Sequence, residues 1–253
     1  MAHPLRIAHR GASLVAPENT LAAFEAAIQE GVDLIEIDVH ASRDGELVVI
    51  HDASLDRTTD RTGAIAEIPL ASLREADAGS WFDPKFADQR VPMLTEVLDL
   101  ARHRVPVLIE VKAEHLSQTL LQQVEAAGAS DEVVIQSFHA DTIRCVKQIN
   151  PSVPTALLKG RLPDALSRSA RLYVAREVLA VGANALAIWH EALTPGLFEH
   201  MRLCAISVWV WTVDDELAMS DKANLGVQGI ISNDPQRLNR VLADCAGNRD
   251  MSS

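Results

Sequence analysis

A chain of 253 residues with 48% hydrophobic side chains can build one large domain, and a formal net charge of -12 argues against nucleic acid, whose phosphates favour basic surfaces. Three cysteines, Cys145, Cys204 and Cys245, lie far apart without metal-type spacing, so reduced thiols in a cytoplasmic protein are expected. No basic segment with a following apolar run opens the chain and no stretch of about 18 apolar residues occurs, so neither secretion nor a membrane span is expected.

Leu5 to Ala8 reads as a short strand ending in His9-Arg10-Gly11. A helix follows, with Asn19 or Thr20 as its N-cap, Leu21, Phe24 and Ile28 at helical spacing, and Gly31 as its stop. Leu34 to Val39 is the next strand, and its period of two puts Glu36 and Asp38 on one face. A strand otherwise made of Leu, Ile and Val has no packing reason to carry two acids side by side. A hard divalent cation between them supplies one. Ser42 to Gly45 signals a turn and Glu46 to Ile50 a further strand. So short a connection allows only an antiparallel return, which brings His51 back beside the two acids.

Residues 53–92 have a different texture, with a short helix over Leu70 to Ala76 and little periodic apolar content, and read as a small inserted subdomain within a single domain spanning 1–253. Alternation then resumes with a helix over Thr95 to Arg102, a strand over Val105 to Val111, a helix over Leu116 to Ala127 and a strand over Val133 to Ser137. A helix over Asp141 to Ile149, a strand over Thr155 to Leu158, a helix over Leu172 to Val181 and a strand over Ala185 to Trp189 come next. Pro195 to Met201 reads as a helix, Ile206 to Val213 as a strand, Asp215 to Ala223 as a helix, Gly229 to Ser232 as a strand and Gln236 to Ala243 as a helix. Apart from the hairpin arm, eight strands are each followed by a helix. That is the count of an α/β fold of the eight-stranded parallel (β/α)8 TIM type, here with an insertion after the second strand.

The working side of such a barrel is the carboxyl end of its strands. His9 and Arg10 close the first strand, Glu36 and Asp38 lie late in the second, Glu110 and Lys112 end the third, and Trp209 and Trp211 lie in the seventh. Glu36, Asp38 and Glu110 are three hard oxygen ligands for one divalent cation, magnesium or calcium. Arg10 and Lys112 supply the positive charge that an anionic substrate needs, and His9 and His51 can act as general acid and base near neutral pH. This inventory suits cleavage of a phosphodiester.

His9-Arg10-Gly11, Pro17-Glu18-Asn19-Thr20, Glu36-Ile37-Asp38-Val39, His51-Asp52, Arg57-Thr58-Thr59, Glu110-Val111-Lys112, Gln136-Ser137-Phe138, Trp209-Val210-Trp211-Thr212 and Gly229-Ile230-Ile231 stand in the order found in glycerophosphodiester phosphodiesterases. The chain resembles a compact, cytosolic, bacterial-type member of that family from about Ile7 to Pro235. The resemblance implies a metal held by Glu36, Asp38 and Glu110, and His9 and His51 as the acid-base pair. It also implies phosphate contacts from Arg10 and Lys112, and an aromatic wall at Trp211 near the glycerol. The implied reaction takes deacylated phospholipids to glycerol 3-phosphate and an alcohol, with a neighbouring glycerol hydroxyl attacking phosphorus first and water opening the cyclic phosphate. The ending Ser232-Asn233-Asp234-Pro235 is read only as a local loop variation. Two other readings fit the inventory less well: another magnesium-dependent barrel enzyme, which would want a lysine or tyrosine base, and a non-catalytic phosphate-binding barrel, which would lack one of the histidines or acids.

Overall fold

The computed structural model describes residues 3–163 and 167–250, with only the backbone of 114 and 248–250. Its sheet contains β1 (Leu5–Ala8), β2 (Leu34–Ala41), β3 (Leu47–Val49), β4 (Val107–Val111), β5 (Val133–Ser137), β6 (Thr155–Lys159), β7 (Ala185–Trp189), β8 (Ser207–Trp211) and β9 (Gly229–Ser232). Eight strands form a closed parallel ring, because β1 pairs in parallel with both β2 and β9, while β3 hangs outside it, antiparallel to β2. The expected barrel is therefore the observed one. Helices α1 (Leu21–Gln29), α3 (Leu94–Ala101), α4 (Ser117–Ala126), α5 (Ala140–Ile149), α6 (Arg168–Ala180), α7 (Pro195–Leu203), α8 (Glu216–Leu225) and α9 (Pro235–Asp250) follow the ring strands, and α2 (Leu70–Leu73) lies in the segment after β3. Among the described residues no helix is long and apolar enough to cross a membrane.

The alternation of each strand sorts its side chains between two environments. Outward-facing aliphatics such as Ile35, Ile37, Ile109 and Ile135 pack under α1, α3 and α4, and Leu157, Leu186, Val208 and Ile230 pack under the later helices. Inward-facing residues fill the barrel in layers: Ile7, Leu34, Leu108, Ala156, Ala185, Trp209 and Ile231 form its apolar floor. Trp209 thus belongs to the core, its indole N–H donating to Ser207 Oγ at 3.1 Å. One step further along the strands the inward positions become Glu36, Glu110 and Gln136, all buried. Polar groups are tolerated there because they bond one another and face the open end of the barrel.

Helix α6 begins four residues before the apolar periodicity that predicts it, at Arg168, where the Ser167 side chain caps Ala170 N. Residues 50–93 carry α2 and pack Ile50, Leu55, Ile65, Leu73, Ala76, Ala78 and Val91 into one apolar cluster with Val48 of β3. They are tied to the barrel by Arg74, which meets both oxygens of Glu96 on α3 at 2.5 and 2.7 Å.

The turn after β1 places the first histidine and arginine, and it depends on Gly11. This residue has φ +81, and a Cβ there would lie 2.6 Å from the carbonyl carbon of Ala23 on α1. Gly11→Ala should therefore lower the free energy of unfolding by more than about 2 kcal/mol, measured by denaturant titration. A loss below about 0.5 kcal/mol would show that the turn and α1 can separate without penalty.

Candidate active site

Strand register brings the acids together. Asp38 on β2 stands opposite Glu110 on β4, and Glu110 stands opposite Gln136 on β5. One oxygen from each of Glu36, Asp38 and Glu110 lies within 4.8 Å of the other two, and all three residues are buried. Two cations answer them. Lys112 Nζ is 2.7 Å from Asp38 Oδ1 and 2.5 Å from Glu110 Oε1, and Arg10 Nε is 3.3 Å from Asp38 Oδ2. The backbone N–H of Arg10, a residue with φ +57, donates to Glu36 Oε2 at 2.9 Å. A non-glycine residue in that region is held there by its surroundings, here by Gly11 on one side and the Glu36 bond on the other.

Three carboxylates against two cations leave the cluster one negative charge in excess, and burial decides how it is distributed. Burial first, then the charges of Asp38 and Glu110, raise Glu36 well above the ordinary glutamate range. Glu110 is raised for the same reasons, by burial and then by Asp38. Asp38 moves the other way: burial acts to raise it, but Lys112, Arg10 and His51 act against burial, and the carboxyl lies below the usual aspartate range. A hard divalent cation fits this set. The donors are carboxylate oxygens, and Asp38 Oδ1, although close to Lys112, receives no aligned hydrogen bond.

The histidines lie at the ends of different strands and are held differently. His9 Nδ1 is 2.7 Å from Asn233 Oδ1, in the loop after β9. The Asn233 amide nitrogen donates to Asp214 Oδ2 at 2.6 Å, and Ser13 Oγ also donates to Asn233 Oδ1 at 2.9 Å, so this oxygen is an acceptor and His9 Nδ1 carries the proton. His51 Nδ1 is 2.7 Å from a carboxylate oxygen, Asp52 Oδ1. Burial and then the nearby Arg10 charge push His9 down to about 4. His51 is also lowered, chiefly by burial, with Asp38 and Asp52 opposing.

His9, Arg10, Glu36, His51, Glu110, Lys112 and Trp211 line one cavity of about 180 Å³, with Gln136, Phe138, Leu158, Thr212 and Ile231. Asp38 lies against it through Arg10 and Lys112. All eight residues singled out by the sequence thus meet at the carboxyl end of the ring. Phe138 meets Trp211 edge to face at 5.6 Å between ring centroids. Two groups have roles that the sequence left open or did not show. Asn19, buried and with φ +55, donates from Nδ2 to Asp38 Oδ2 at 2.8 Å and fixes that carboxylate. Asn233, read only as part of a loop, orients His9.

Residues 9–237 match the model of the glycerophosphoryl diester phosphodiesterase family. The chain is 34% identical to the glycerophosphodiester phosphodiesterase of Caldanaerobacter subterraneus subsp. tengcongensis over 240 residues, covering 92% of this chain and 96% of that protein. Its fold is similar to that of the glycerophosphodiester phosphodiesterase from Agrobacterium tumefaciens, with TM-score 0.80, 30% identity, and 93% and 98% of the two chains covered. It is also similar to an Oleispira antarctica phosphodiesterase solved in complex with the product sn-glycerol-3-phosphate, with TM-score 0.87, 27% identity, and 95% and 97% covered. Matching at this length and level, in a barrel of the same kind, the chain belongs to the glycerophosphodiester phosphodiesterase family.

Proposed function

We propose that this protein hydrolyses glycerophosphodiesters to glycerol 3-phosphate and an alcohol in a reaction that depends on one divalent cation, with His9 as general base and His51 as general acid. The observation that carries this reading is the convergence, in and against one cavity, of a buried acid triad, two cations and two differently held histidines. Glu36, Asp38 and Glu110 would hold magnesium or calcium, and the ion, once bound, supplies positive charge to a phosphate oxygen. Arg10 and Lys112 complete the neutralisation of the phosphodiester.

The proton roles follow from the partners. His9 holds its only proton on Nδ1 against an uncharged amide, which leaves the Nε2 lone pair to take a proton from the attacking glycerol hydroxyl. His51 faces the Asp52 carboxylate, which stabilises an imidazolium, and the negative phosphodiester adds to that stabilisation when bound. It therefore delivers the proton to the departing alkoxide, and the two roles reverse when water opens a cyclic phosphate. Among the described residues, Gln136 Oε1 and Trp211 Nε1 find no partner in the cavity wall. A glycerol hydroxyl that donates to the first or accepts from the second would satisfy them. Residues 53–92 are on this reading a small subdomain carried by a single 1–253 domain, cytoplasmic in location.

The test is hydrolysis of glycerophosphocholine by purified protein before and after removal of metal with a chelator. Turnover that disappears with the chelator and returns with magnesium or calcium supports the reading. Turnover unaffected by chelation refutes the metal requirement, and none under any condition favours a phosphate-binding barrel without catalysis.

A further inference from the structure

The site's two halves are joined by a residue that lies outside the cavity. Arg57, in the segment after β3, divides its guanidinium between two carboxylates. Nε and Nη2 donate to Asp52 at 2.7 and 3.2 Å, and Nη1 and Nη2 donate to Glu18 at 2.8 Å each. Each carboxylate continues inward. Asp52 meets His51 Nδ1 at 2.7 Å, and Glu18 accepts from Arg10 Nη1 at 2.8 Å. A continuous alternation of charge thus runs from His51 through Asp52, Arg57, Glu18 and Arg10 to Asp38.

We propose that Arg57 is a positioning residue for phosphodiester cleavage: its planar fork locks the Asp52–His51 pair and the Glu18–Arg10 pair into one spatial relation, so that proton donor and phosphate-binding cation meet the substrate together. The proposal rests on the phosphodiesterase reading of the site.

Stability alone gives a weak reason for such an arrangement. The Arg57 side chain is 44% exposed, and ion pairs at that exposure contribute little. The geometry gives a stronger one. Four donations to two carboxylates require the five-donor guanidinium, and an ammonium on a flexible stem cannot reproduce them. The platform beneath Arg57 is also firm. Leu55 and Ile65 are buried, Leu55 N donates to Gly63 O, and Thr59 Oγ1 returns to Leu55 O at 2.8 Å. Without the guanidinium, Asp52 and Glu18 would face each other as like charges. Asp52 would be free to turn from His51, and Glu18 would draw Arg10 away from the phosphate.

The experiment compares Arg57→Ala and Arg57→Lys with the unsubstituted protein and His51→Ala, all metal-loaded, on glycerophosphocholine and on the p-nitrophenyl glycerophosphodiester, whose phenolate departs without a proton. Arg57→Ala should lose on the order of 10²-fold in kcat/KM on glycerophosphocholine, through both a lower kcat and a higher KM, at a nearly unchanged Tm. The loss should be several-fold smaller on the p-nitrophenyl substrate, and Arg57→Lys should recover activity only in part. Wild-type activity in Arg57→Ala, or equal losses on both substrates, would overturn the proposal. If the alanine variant does not fold, wild-type kcat/KM in Arg57→Lys overturns it instead. An inactive His51→Ala beside a fully active Arg57→Ala removes the positioning role alone, whereas a fully active His51→Ala removes the catalytic reading as well.

Discussion

His51→Ala should lower turnover of glycerophosphocholine by on the order of 10²–10⁴-fold, the usual contribution of a positioned acid or base, while leaving metal binding and binding of glycerol 3-phosphate nearly intact. The reason is position. The acid triad is built from β2 and β4, whereas the His51 ring lines the cavity from the loop after β3 and is bonded to Asp52. Removing the ring would take away the proposed proton donor and the partner of Asp52 while leaving Glu36, Asp38 and Glu110 in place. His9→Ala should cost a comparable factor, but the two losses should part on the p-nitrophenyl substrate. A missing acid matters little when the leaving group needs no proton, whereas a missing base is felt with either substrate. Initial rates with both substrates check this. Equal rescue of both variants by the activated leaving group would show that the roles of His9 and His51 have been wrongly divided.

Glu36→Gln should have opposite effects on the metal-free and metal-bound protein. Without metal, three acids and two cations share a buried space, and burial with the neighbouring acids raises Glu36. A group whose folded pKa is raised contributes stability that is fully present below its unfolded value, here about 4.5, and is lost as pH rises through the folded one. The metal-free protein should thus lose stability from this group as pH climbs above the ordinary glutamate range. Asp38, whose pKa is lowered, acts oppositely: its contribution is present above the usual aspartate value of 3.8 and is lost as pH falls. At neutral pH the neutral amide should therefore stabilise the metal-free protein by on the order of 1 kcal/mol, roughly 2–4 °C in Tm.

Magnesium or calcium should raise the Tm of the unsubstituted protein, and the same variant should lose that rise and with it turnover. Because Glu36 and Glu110 must shed protons to coordinate, metal affinity in the unsubstituted protein should increase with pH, with protons released on binding. Thermal melts with and without metal at several pH values check both signs. A metal-free Glu36→Gln protein less stable than the parent, or a metal affinity that falls as pH rises, would contradict the electrostatic account.

Local pattern and global closure left different traces in the sequence. Alternation along β2 and β4 made the same-face pairs Glu36 with Asp38 and Glu110 with Lys112 legible, because period two is a property of any strand, and the tight turn after β2 made the return of His51 legible. The start of α6 was not legible, since its first turn opens on the exposed Arg168 and Ser169, only half-buries Ala170 and Arg171, and carries no apolar period. Asn233 was hidden for another reason. It meets His9 only because β9 pairs with β1, with Ile7 opposite Ile231 and Ala8 opposite Ser232, which closes the ring across 224 residues of sequence. An uncharged residue in a loop gives no sign of such a partner. Its position just beyond β9, level with His9 just beyond β1, is the signal that could have found it once barrel closure was assumed. Asn19 was legible only as one of two candidate caps, the cap being Thr20, and not as the clamp on Asp38, because that role depends on its left-handed backbone, which no spacing reveals.

The most direct measurement is a crystal structure of the full chain soaked with manganese, as an anomalous reporter for the divalent site, and glycerol 3-phosphate. The account predicts one ion bound by oxygens of Glu36, Asp38 and Glu110, with the phosphate against Arg10 and Lys112 and between the rings of His9 and His51. An ion held elsewhere, or a phosphate that neither imidazole can reach, would contradict it.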